Sequence, residues 1–161
     1  GATTRRVWFP PGAWFSFWDG RRYAGPGYQE VPAPLETIPL FVRGGALLPL
    51  LAEPVVTLAN VPPDDLLRHV ELWVSPAGEA GEHAFTFHDG SSITLSENAG
   101  GLRLHFDEAA RSRRYRLVLP GNRTRASVLA DDRPLAVDAT SAAANGLDVP
   151  PGTVDLTVSW G

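Results

Sequence analysis

The 161-residue sequence contains no cysteine, no methionine and no lysine. The absence of cysteine excludes disulfide bonds, thiolate metal sites and cysteine nucleophiles. No segment approaches the roughly 18 consecutive apolar residues that a membrane-spanning helix needs, so we expect no membrane partner. Because the sequence lacks methionine and begins with glycine, we expect it to be part of a longer polypeptide.

A concentrated positive charge is also missing. The formal net charge is −4, whereas proteins that bind nucleic acid normally carry a basic face or tail. The densest arginine cluster consists of Arg111, Arg113, Arg114 and Arg116. We expect these side chains to form the solvated edge of a strand, and we predict no nucleic-acid partner.

Turn-forming residues, by contrast, are abundant. The sequence has 15 prolines and 16 glycines, and they separate short apolar runs that show no sustained helical periodicity. Many short strands divided by turns are typical of all-β sandwiches. We therefore predict an all-β fold with two small antiparallel β-sandwich sub-domains in tandem.

The two sub-domains are predicted to meet in a stretch rich in proline and aspartate. Residues 51–65 contain three prolines and two adjacent aspartates, which favour a connecting segment over a strand. This places the first sub-domain at residues 1–52, the linker at 53–66 and the second sub-domain at 67–161.

Strands of the second sub-domain are predicted from a strict alternation of apolar and polar residues. Val70, Leu72 and Val74 occupy alternate positions, and the run from 154 to 160 repeats the pattern. A period of two places each apolar set on one face of a half-buried strand. Residues 107–110 are predicted to be a hairpin turn between two such strands.

The first sub-domain is predicted to begin with a short strand and a hairpin. The strand covers VWF, residues 7–9, and is expected to stop at Pro10-Pro11-Gly12. Asp19-Gly20 then separates two strand-like runs, which is a strong signal for a hairpin turn.

The block AWFSFW, residues 13–18, places four large rings in five consecutive positions. In a strand, Trp14 and Trp18 would share one face, and Phe15 and Phe17 the other. Both faces would be apolar, so we expect this strand to be covered on both sides. Structural burial is favoured over a sugar-stacking platform, because aromatic rings dominate core and interface burial.

A longer motif runs through VWFPPGAWFSFWDGRRYAGPGYQEVPAPLETIPLFVRGGALLPL, residues 7–50. Its elements are Phe9 to Gly12, the block from Ala13 to Gly20, and the run from Ala33 to Gly45 that leads to Pro49-Leu50. In this order they resemble the segment after the catalytic barrel in glycoside hydrolase family 31, the family of α-glucosidases and α-xylosidases. The remainder resembles that family's distal C-terminal β-domain, with Phe87 to Gly90 at a matching strand end.

The resemblance implies a retaining α-glycosidase whose two catalytic carboxylic acids lie on a (β/α)₈ barrel upstream of this segment. It also implies a further apolar strand before residue 1. No stretch of the chain matches the family's Trp-x-Asp-Met-Asn-Glu nucleophile motif, so we assign no catalytic residue and expect no cofactor. The predicted function is the non-catalytic C-terminal β-sandwich portion of such an enzyme, with the catalytic barrel as its partner.

Six residues are predicted to dock against that barrel: Trp8, Trp14, Trp18, Tyr23, Phe41 and Arg43. The alternative function is a carbohydrate-binding accessory module that binds α-glycans through exposed aromatic rings. Trp73, on the polar face of its strand, is the candidate for sugar stacking.

Histidines and carboxylates are present but form no recognisable site in the sequence. His83, His88, Asp89 and His105 are residue types that suit zinc, yet their spacing matches no strong ligand pattern. Most acidic residues lie in or beside turns, where carboxylates serve solvation and local hydrogen bonding. We predict no metal site.

Overall fold

The computed structural model describes residues 3–52, 68–120, 125–135 and 146–161. Apart from one 3₁₀ turn, Ala110–Ser112, the regular structure of these ranges is entirely β-strand, which confirms the all-β class. Its strands are β1 Thr4–Ser16, β2 Arg22–Pro32, β3 Phe41–Arg43, β4 Leu47–Leu51, β5 His69–Val74, β6 Gly81–Thr86, β7 Ser92–Asn98, β8 Gly101–Phe106, β9 Arg114–Val118, β10 Arg125–Ala130, β11 Arg133–Pro134, β12 Gly146–Val149 and β13 Asp155–Trp160. The predicted linker, residues 53–66, lies outside the described residues. No helix in the described ranges is long and apolar enough to cross a membrane.

The described strands form three sheets. A hairpin sheet has the order β2-β1-β3, a six-stranded sheet the order β11-β10-β13-β8-β7-β6, and a four-stranded sheet the order β12-β9-β5-β4. The two larger sheets share one core, to which β5, β7, β8, β9 and β13 all contribute fully buried side chains, and we call this pair of sheets the sandwich. Its pairings are antiparallel as predicted, except that β5 and β9 run parallel.

Alternation along the sandwich strands is confirmed. Val70, Leu72 and Val74 are completely buried, as are Leu156 and Val158 on β13. The intervening side chains point away from the core because successive residues of a strand face opposite sides of the sheet. Hydrophobic burial of this kind is the main stabilising term of a two-sheet domain.

The predicted hairpin turn at residues 107–110 is wrong. β8 and β9 lie in different sheets, and the chain crosses between them through the 3₁₀ turn. Asp107 supports the crossing, because one carboxylate oxygen accepts the amide of Ala110 at 2.7 Å and the other accepts the amide of Ser92 at 2.6 Å. A turn-forming residue was correctly recognised, but the sequence pattern does not reveal which sheet the next strand joins.

β1 continues through the residues that were predicted to end it. Phe9 pairs with Gly27 of β2, and the next register pair is Gly12 with Gly25, which leaves residues 10–11 in a β-bulge. Proline has no amide hydrogen to give to a sheet, and a bulge is one of the few places where a strand tolerates it. The strand therefore continues through two consecutive prolines.

The bulge also changes which side chains share a face. Phe9 and Trp14 are five positions apart, yet their ring centres lie 6.2 Å apart on the same face of the hairpin sheet. Ala13 and Phe15 consequently lie on the opposite face, together with Trp8. The core of the hairpin sheet consists of Phe9, Tyr23 and Val31, with Val7, Trp14 and Phe41 packed against it.

The predicted hairpin at Asp19-Gly20 is confirmed. The amide of Ser16 donates to the carbonyl of Arg21 at 2.9 Å, and β1 and β2 pair on either side of the turn. Gly20 has a φ of 67° in the turn, where a residue with a side chain would be disfavoured.

β4 links the hairpin sheet to the sandwich. It falls inside the predicted first sub-domain, residues 1–52, but it pairs with β5 along its whole length, from Leu47 opposite Val74 to Leu51 opposite Val70. The four-stranded sheet thus includes residues from both sides of the predicted linker. The division into two sub-domains remains a prediction.

Gly25 offers a test of the bulge. A Cβ atom at this position would lie 1.8 Å from the carbonyl oxygen of Pro10. Gly25→Ala should therefore lower the free energy of unfolding by about 2 kcal/mol or more, because the two strands must separate at the bulge. The measurement is urea denaturation followed by tryptophan fluorescence.

Gly100→Ala is the matched control, since its Cβ would come no closer than 3.4 Å to a neighbouring atom, Oδ1 of Asn98. We expect this variant to stay within about 0.5 kcal/mol of the wild type. Equal stability losses in the two variants would contradict the structural role given to Gly25.

Candidate functional site

The candidate functional site is the apolar surface of the hairpin sheet and its turns. The large hydrophobic residues that are exposed in the described ranges are Trp8, Trp18, Tyr28, Leu35, Ile38, Leu40 and Leu51. Six of these seven belong to residues 8–40, and only Leu51 belongs to the sandwich. Grouped exposed hydrophobic residues of this size mark interaction surfaces in soluble proteins.

One group lies on the strand pair β1 and β2, and we call Arg6, Trp8 and Tyr28 the Trp8 surface. Trp8 and Tyr28 face each other across the two strands with ring centres 5.0 Å apart, and they are 53% and 59% exposed. The guanidinium of Arg6 lies 4.4 Å from the centre of the Tyr28 ring, a cation–π arrangement. Sequence reasoning missed Tyr28, although the register of the hairpin places it opposite Trp8.

A second group surrounds the turn after β1, and we call Trp18, Ile38 and Leu40 the Trp18 surface. Since β1 ends at Ser16, Trp18 lies in the turn and not on the strand face that was predicted for it. Its indole nitrogen donates to the carbonyl of Ile38 at 2.7 Å, and the amide of Phe17 donates to the carbonyl of Leu40 at 3.0 Å. These bonds hold the exposed side chains of the turn and of the 33–40 segment together.

Three residues of the predicted docking set contribute to the core of the hairpin sheet. Tyr23 is 3% exposed and stacks on Phe9 with ring centres 5.1 Å apart. Phe41 packs edge-on against Phe9 at 4.9 Å, and the indole of half-buried Trp14 donates to the carbonyl of Pro10 at 3.0 Å. The exposed members of the predicted set are Trp8, Trp18 and Arg43.

Trp73, the candidate sugar-stacking residue, packs against another aromatic ring. Its ring stacks on Phe17 at a centre distance of 4.6 Å and an angle of 21° between planes. The indole nitrogen donates to a carboxylate oxygen of Glu71 at 2.9 Å, and the side chain is half-buried. Trp73 thus joins the sandwich to the turn after β1, and Phe17 occupies a ring face that a sugar would need.

Arg113 is buried, although it was predicted to lie on a solvated edge. Its side chain is 8% exposed, and the guanidinium lies 4.3 Å from the centre of the Phe87 ring. One nitrogen pairs with Asp89, and another donates to the hydroxyl of Ser91 at 2.7 Å. The residue was misjudged because alternation along one strand does not reveal the carboxylate of a neighbouring loop.

The carboxylate of Asp89 has a structural role. It accepts the hydroxyl of Ser91 at 2.6 Å and the amide of the same residue at 3.0 Å. These two bonds, together with the bond and charge of Arg113, hold the pKa of Asp89 well below its usual range. A catalytic acid needs the opposite shift, so this carboxyl group stabilises the loop instead.

The structure also gives the positions of other histidines and carboxylates that were considered as metal ligands. No group of three such side chains comes together within the described ranges. His105 lies 3.0 Å from Asp155, which also pairs with Arg103 at 2.8 Å. The hydrogen bond from Arg103, and then that from His105, lower the pKa of Asp155. This cluster lies on the outer face of the six-stranded sheet.

Comparison with known proteins identifies related sequences. Residues 1–48 match the family model described as glycosyl hydrolase family 31 C-terminal domain. The chain is 32% identical over 108 residues to alpha-glucosidase 2 of Bacillus thermoamyloliquefaciens, covering 66% of this chain and 13% of that protein. It is 50% identical over 87 residues to an alpha-xylosidase of Saccharolobus solfataricus, covering 54% of this chain and 11% of the relative. The matched region is therefore a small part of both relatives.

The solved structures that share this fold also match it over only part of their own chains. A family 31 dextranase of Flavobacterium johnsoniae matches 99% of this chain and 24% of its own, with a TM-score of 0.71 and 20% identity. The cycloalternan-forming enzyme of Listeria monocytogenes matches 100% of this chain and 17% of its own, with a TM-score of 0.72 and 18% identity. At these identities the likeness shows the fold.

Asp89 yields a prediction about acid stability. Because its pKa is lowered on folding, the ionised carboxylate stabilises the folded state above the usual carboxyl pKa of about 4. That contribution is lost as the pH falls through the lower, folded value. Asp89→Asn should therefore lower the urea midpoint at pH 7 and flatten the loss of stability between about pH 4 and pH 2.

The check is a series of urea titrations across this pH range. Glu36→Gln, which removes an exposed carboxylate in the 33–40 segment, is the control and should follow the wild-type profile. An Asp89→Asn profile parallel to the wild type would contradict the lowered pKa of Asp89 in the folded state.

Trp73 yields a prediction about glycans. Because Phe17 stacks on its ring, we expect no saturable heat when the folded chain is titrated with malto-oligosaccharides, isomaltose or xyloglucan oligosaccharides. Trp73→Ala should instead lower the free energy of unfolding by about 3 kcal/mol. Saturable binding of any of these glycans to the folded wild type would contradict this interpretation.

Proposed function

We propose that this chain, which belongs to the C-terminal β-sandwich region of glycoside hydrolase family 31, is the non-catalytic portion of a retaining α-glycosidase. In the parent enzyme this portion would pack on the catalytic barrel. The parent enzyme would hydrolyse α-linked glucosides or xylosides. Its nucleophile and its acid would both come from the barrel, as the resemblance to the family implies.

The observation that carries the proposal is the uneven distribution of exposed hydrophobic residues. The Trp8 and Trp18 surfaces both belong to residues 6–40, whereas Leu51 at the end of β4 is the one large exposed hydrophobic residue in the described part of the sandwich. Aromatic and arginine side chains are the residues most enriched in protein interfaces. The hairpin sheet is therefore the part that we expect to contact the barrel.

The charge distribution supports the same orientation. Residues 1–50 carry five arginines and three carboxylates, a net charge of +2, whereas residues 51–161 carry nine arginines and 15 carboxylates, a net charge of −6. Charges that face each other across a protein interface tend to be complementary. The barrel surface that contacts the Trp8 surface would then combine apolar side chains with carboxylates that face Arg6.

The accessory-module alternative is not favoured. It requires an aromatic ring with an accessible face among polar neighbours, and the candidate Trp73 stacks on Phe17. Trp8 and Trp18 are exposed, but they lie on the part of the chain that matches the family model rather than on a separate module.

A chimeric enzyme tests the proposed function. In the alpha-xylosidase of Saccharolobus solfataricus, the matching region would be replaced by this chain. We expect the chimera to hydrolyse p-nitrophenyl α-xyloside, whereas the same enzyme without the region should be inactive or insoluble and this chain alone should be inactive. Trp8→Ser and Trp18→Ser in the chimera should each lower its activity or its half-life at elevated temperature about tenfold, because removing an interface anchor weakens the contact with the barrel.

Leu51→Ser is the matched control, because it removes an exposed apolar side chain outside both surfaces. If the two tryptophan variants behave like this control, the proposed docking surfaces are wrong. If the chimera is inactive although it is soluble and folded, the proposed packing role is wrong.

A further inference from the structure

The hairpin sheet meets the sandwich at a loop of residues 75–80, between β5 and β6. The amide of Gly45 donates to the carbonyl of Ser75 at 2.6 Å, and the amide of Ser75 donates to the carbonyl of Ala46 at 3.1 Å. The amide of Gly44 donates to the carbonyl of Ala13 on β1 at 2.8 Å. This two-glycine turn is therefore hydrogen-bonded to the hairpin sheet on one side and to the loop on the other.

The contact is too close for a side chain. A Cβ atom at Gly44 would lie 2.9 Å from Cα of Ala77 and 3.1 Å from Cβ of Ala13. Gly45 has a φ of +83°, and a Cβ atom there would lie 2.5 Å from the His83 ring. The turn therefore packs against the loop and β6 with no room for a side chain on either glycine.

A buried carboxylate holds that position. Glu97 is 5% exposed and follows Ile93 and Leu95 at the core-facing positions of β7. One of its carboxylate oxygens accepts the amide of Ala77 at 2.7 Å, and the other accepts the amide of Gly78 at 2.9 Å. A carboxylate at a core-facing position is costly unless it is hydrogen-bonded, and here it binds two consecutive backbone amides of the loop.

We propose that Glu97 is the positioning residue of this junction. Its carboxylate keeps the 75–80 loop in the conformation that receives Gly44 and Gly45, and it thereby determines how the hairpin sheet is oriented on the sandwich. The Phe17–Trp73 stack is the second contact between the same two parts. This inference concerns the chain itself and does not depend on the proposed docking to a barrel.

Glutamine is the informative replacement for Glu97. It has nearly the same shape, but it offers one acceptor oxygen, and its amide group would face a backbone donor. Glu97→Gln should therefore release the loop without leaving a cavity in the core.

Hydrogen exchange on the 161-residue chain tests the proposal. In Glu97→Gln we expect the amides of Gly45 and Ser75 to exchange about tenfold faster or more, since local opening changes the exchange of only those amides that it exposes. Core amides of β8 and β13, such as those of Leu104 and Leu156, should keep their wild-type rates. Glu108→Gln, which removes an exposed carboxylate, is the control and should change neither group.

Two outcomes of this experiment would overturn the proposal. Equal acceleration of junction and core amides would mean that Glu97 stabilises only the core. Unchanged exchange at Gly45 and Ser75 would mean that the loop holds its position without the carboxylate.

A second variant changes the two-glycine turn instead of the loop, and it tests the proposal even if Glu97→Gln does not fold. Gly44→Ala should displace the turn and accelerate exchange at Gly45, while the amides of Ala77 and Gly78 stay protected by Glu97. Loss of protection at Ala77 and Gly78 as well would show that the turn holds the loop in place, which would contradict the proposal that Glu97 does so. Full protection at Gly45 in this variant would also contradict the proposal.

Discussion

The hairpin sheet carries large apolar side chains on both faces, and the way each face is covered organises the structure. The hairpin sheet covers one face with its own aromatic side chains, chiefly Phe9, Tyr23 and Phe41. On the other face, Ala13 and Phe15 are buried, and Gly44 packs closely against Ala13. Trp8 and Tyr28 belong to that same face and remain more than half exposed. The hairpin sheet is thus covered by the rest of the chain at one end only.

The bulge at residues 10–11 makes this arrangement possible. By adding one residue to β1 relative to β2, the bulge brings Trp14 to the same face as Phe9 and completes the aromatic core around Tyr23. Without the bulge, Trp14 would point to the face of Trp8, and the small side chain of Ala13 would point into the core. Ala13 could then not lie under Gly44, which approaches closely because neither residue is bulky.

Features governed by local periodicity could be predicted from the sequence. The alternation of Val70, Leu72 and Val74 predicted a half-buried strand correctly, and Asp19-Gly20 predicted the hairpin turn. Alternation depends on neighbours two residues apart, and a tight turn depends on the backbone preferences of two residues. The docking role of Trp8 and Trp18 remains a prediction: both side chains are exposed, whereas Trp14, Tyr23 and Phe41 of the same set pack in the hairpin sheet.

The features that were missed depend on contacts between distant segments. Arg113 is buried because the loop that carries Asp89 lies next to it, some 24 residues away in the sequence. The parallel pairing of β5 with β9 follows from a crossover between sheets, which leaves no trace in the alternation of either strand. Glu97 lies at a core-facing position of β7 although its side chain is a carboxylate. The two amides that donate to it are 19 and 20 residues earlier in the sequence.

The junction between the hairpin sheet and the sandwich depends both on a local sequence feature and on contacts between distant segments. Gly44 and Gly45 are visible in the sequence as a break between apolar runs, but only the fold shows that the break must fit against a loop held by Glu97. A junction of hydrogen bonds and close backbone contacts has few alternative geometries, whereas an apolar junction of the same size could slide. If the hairpin sheet docks on a larger domain, the junction holds the sandwich in a defined orientation relative to that domain.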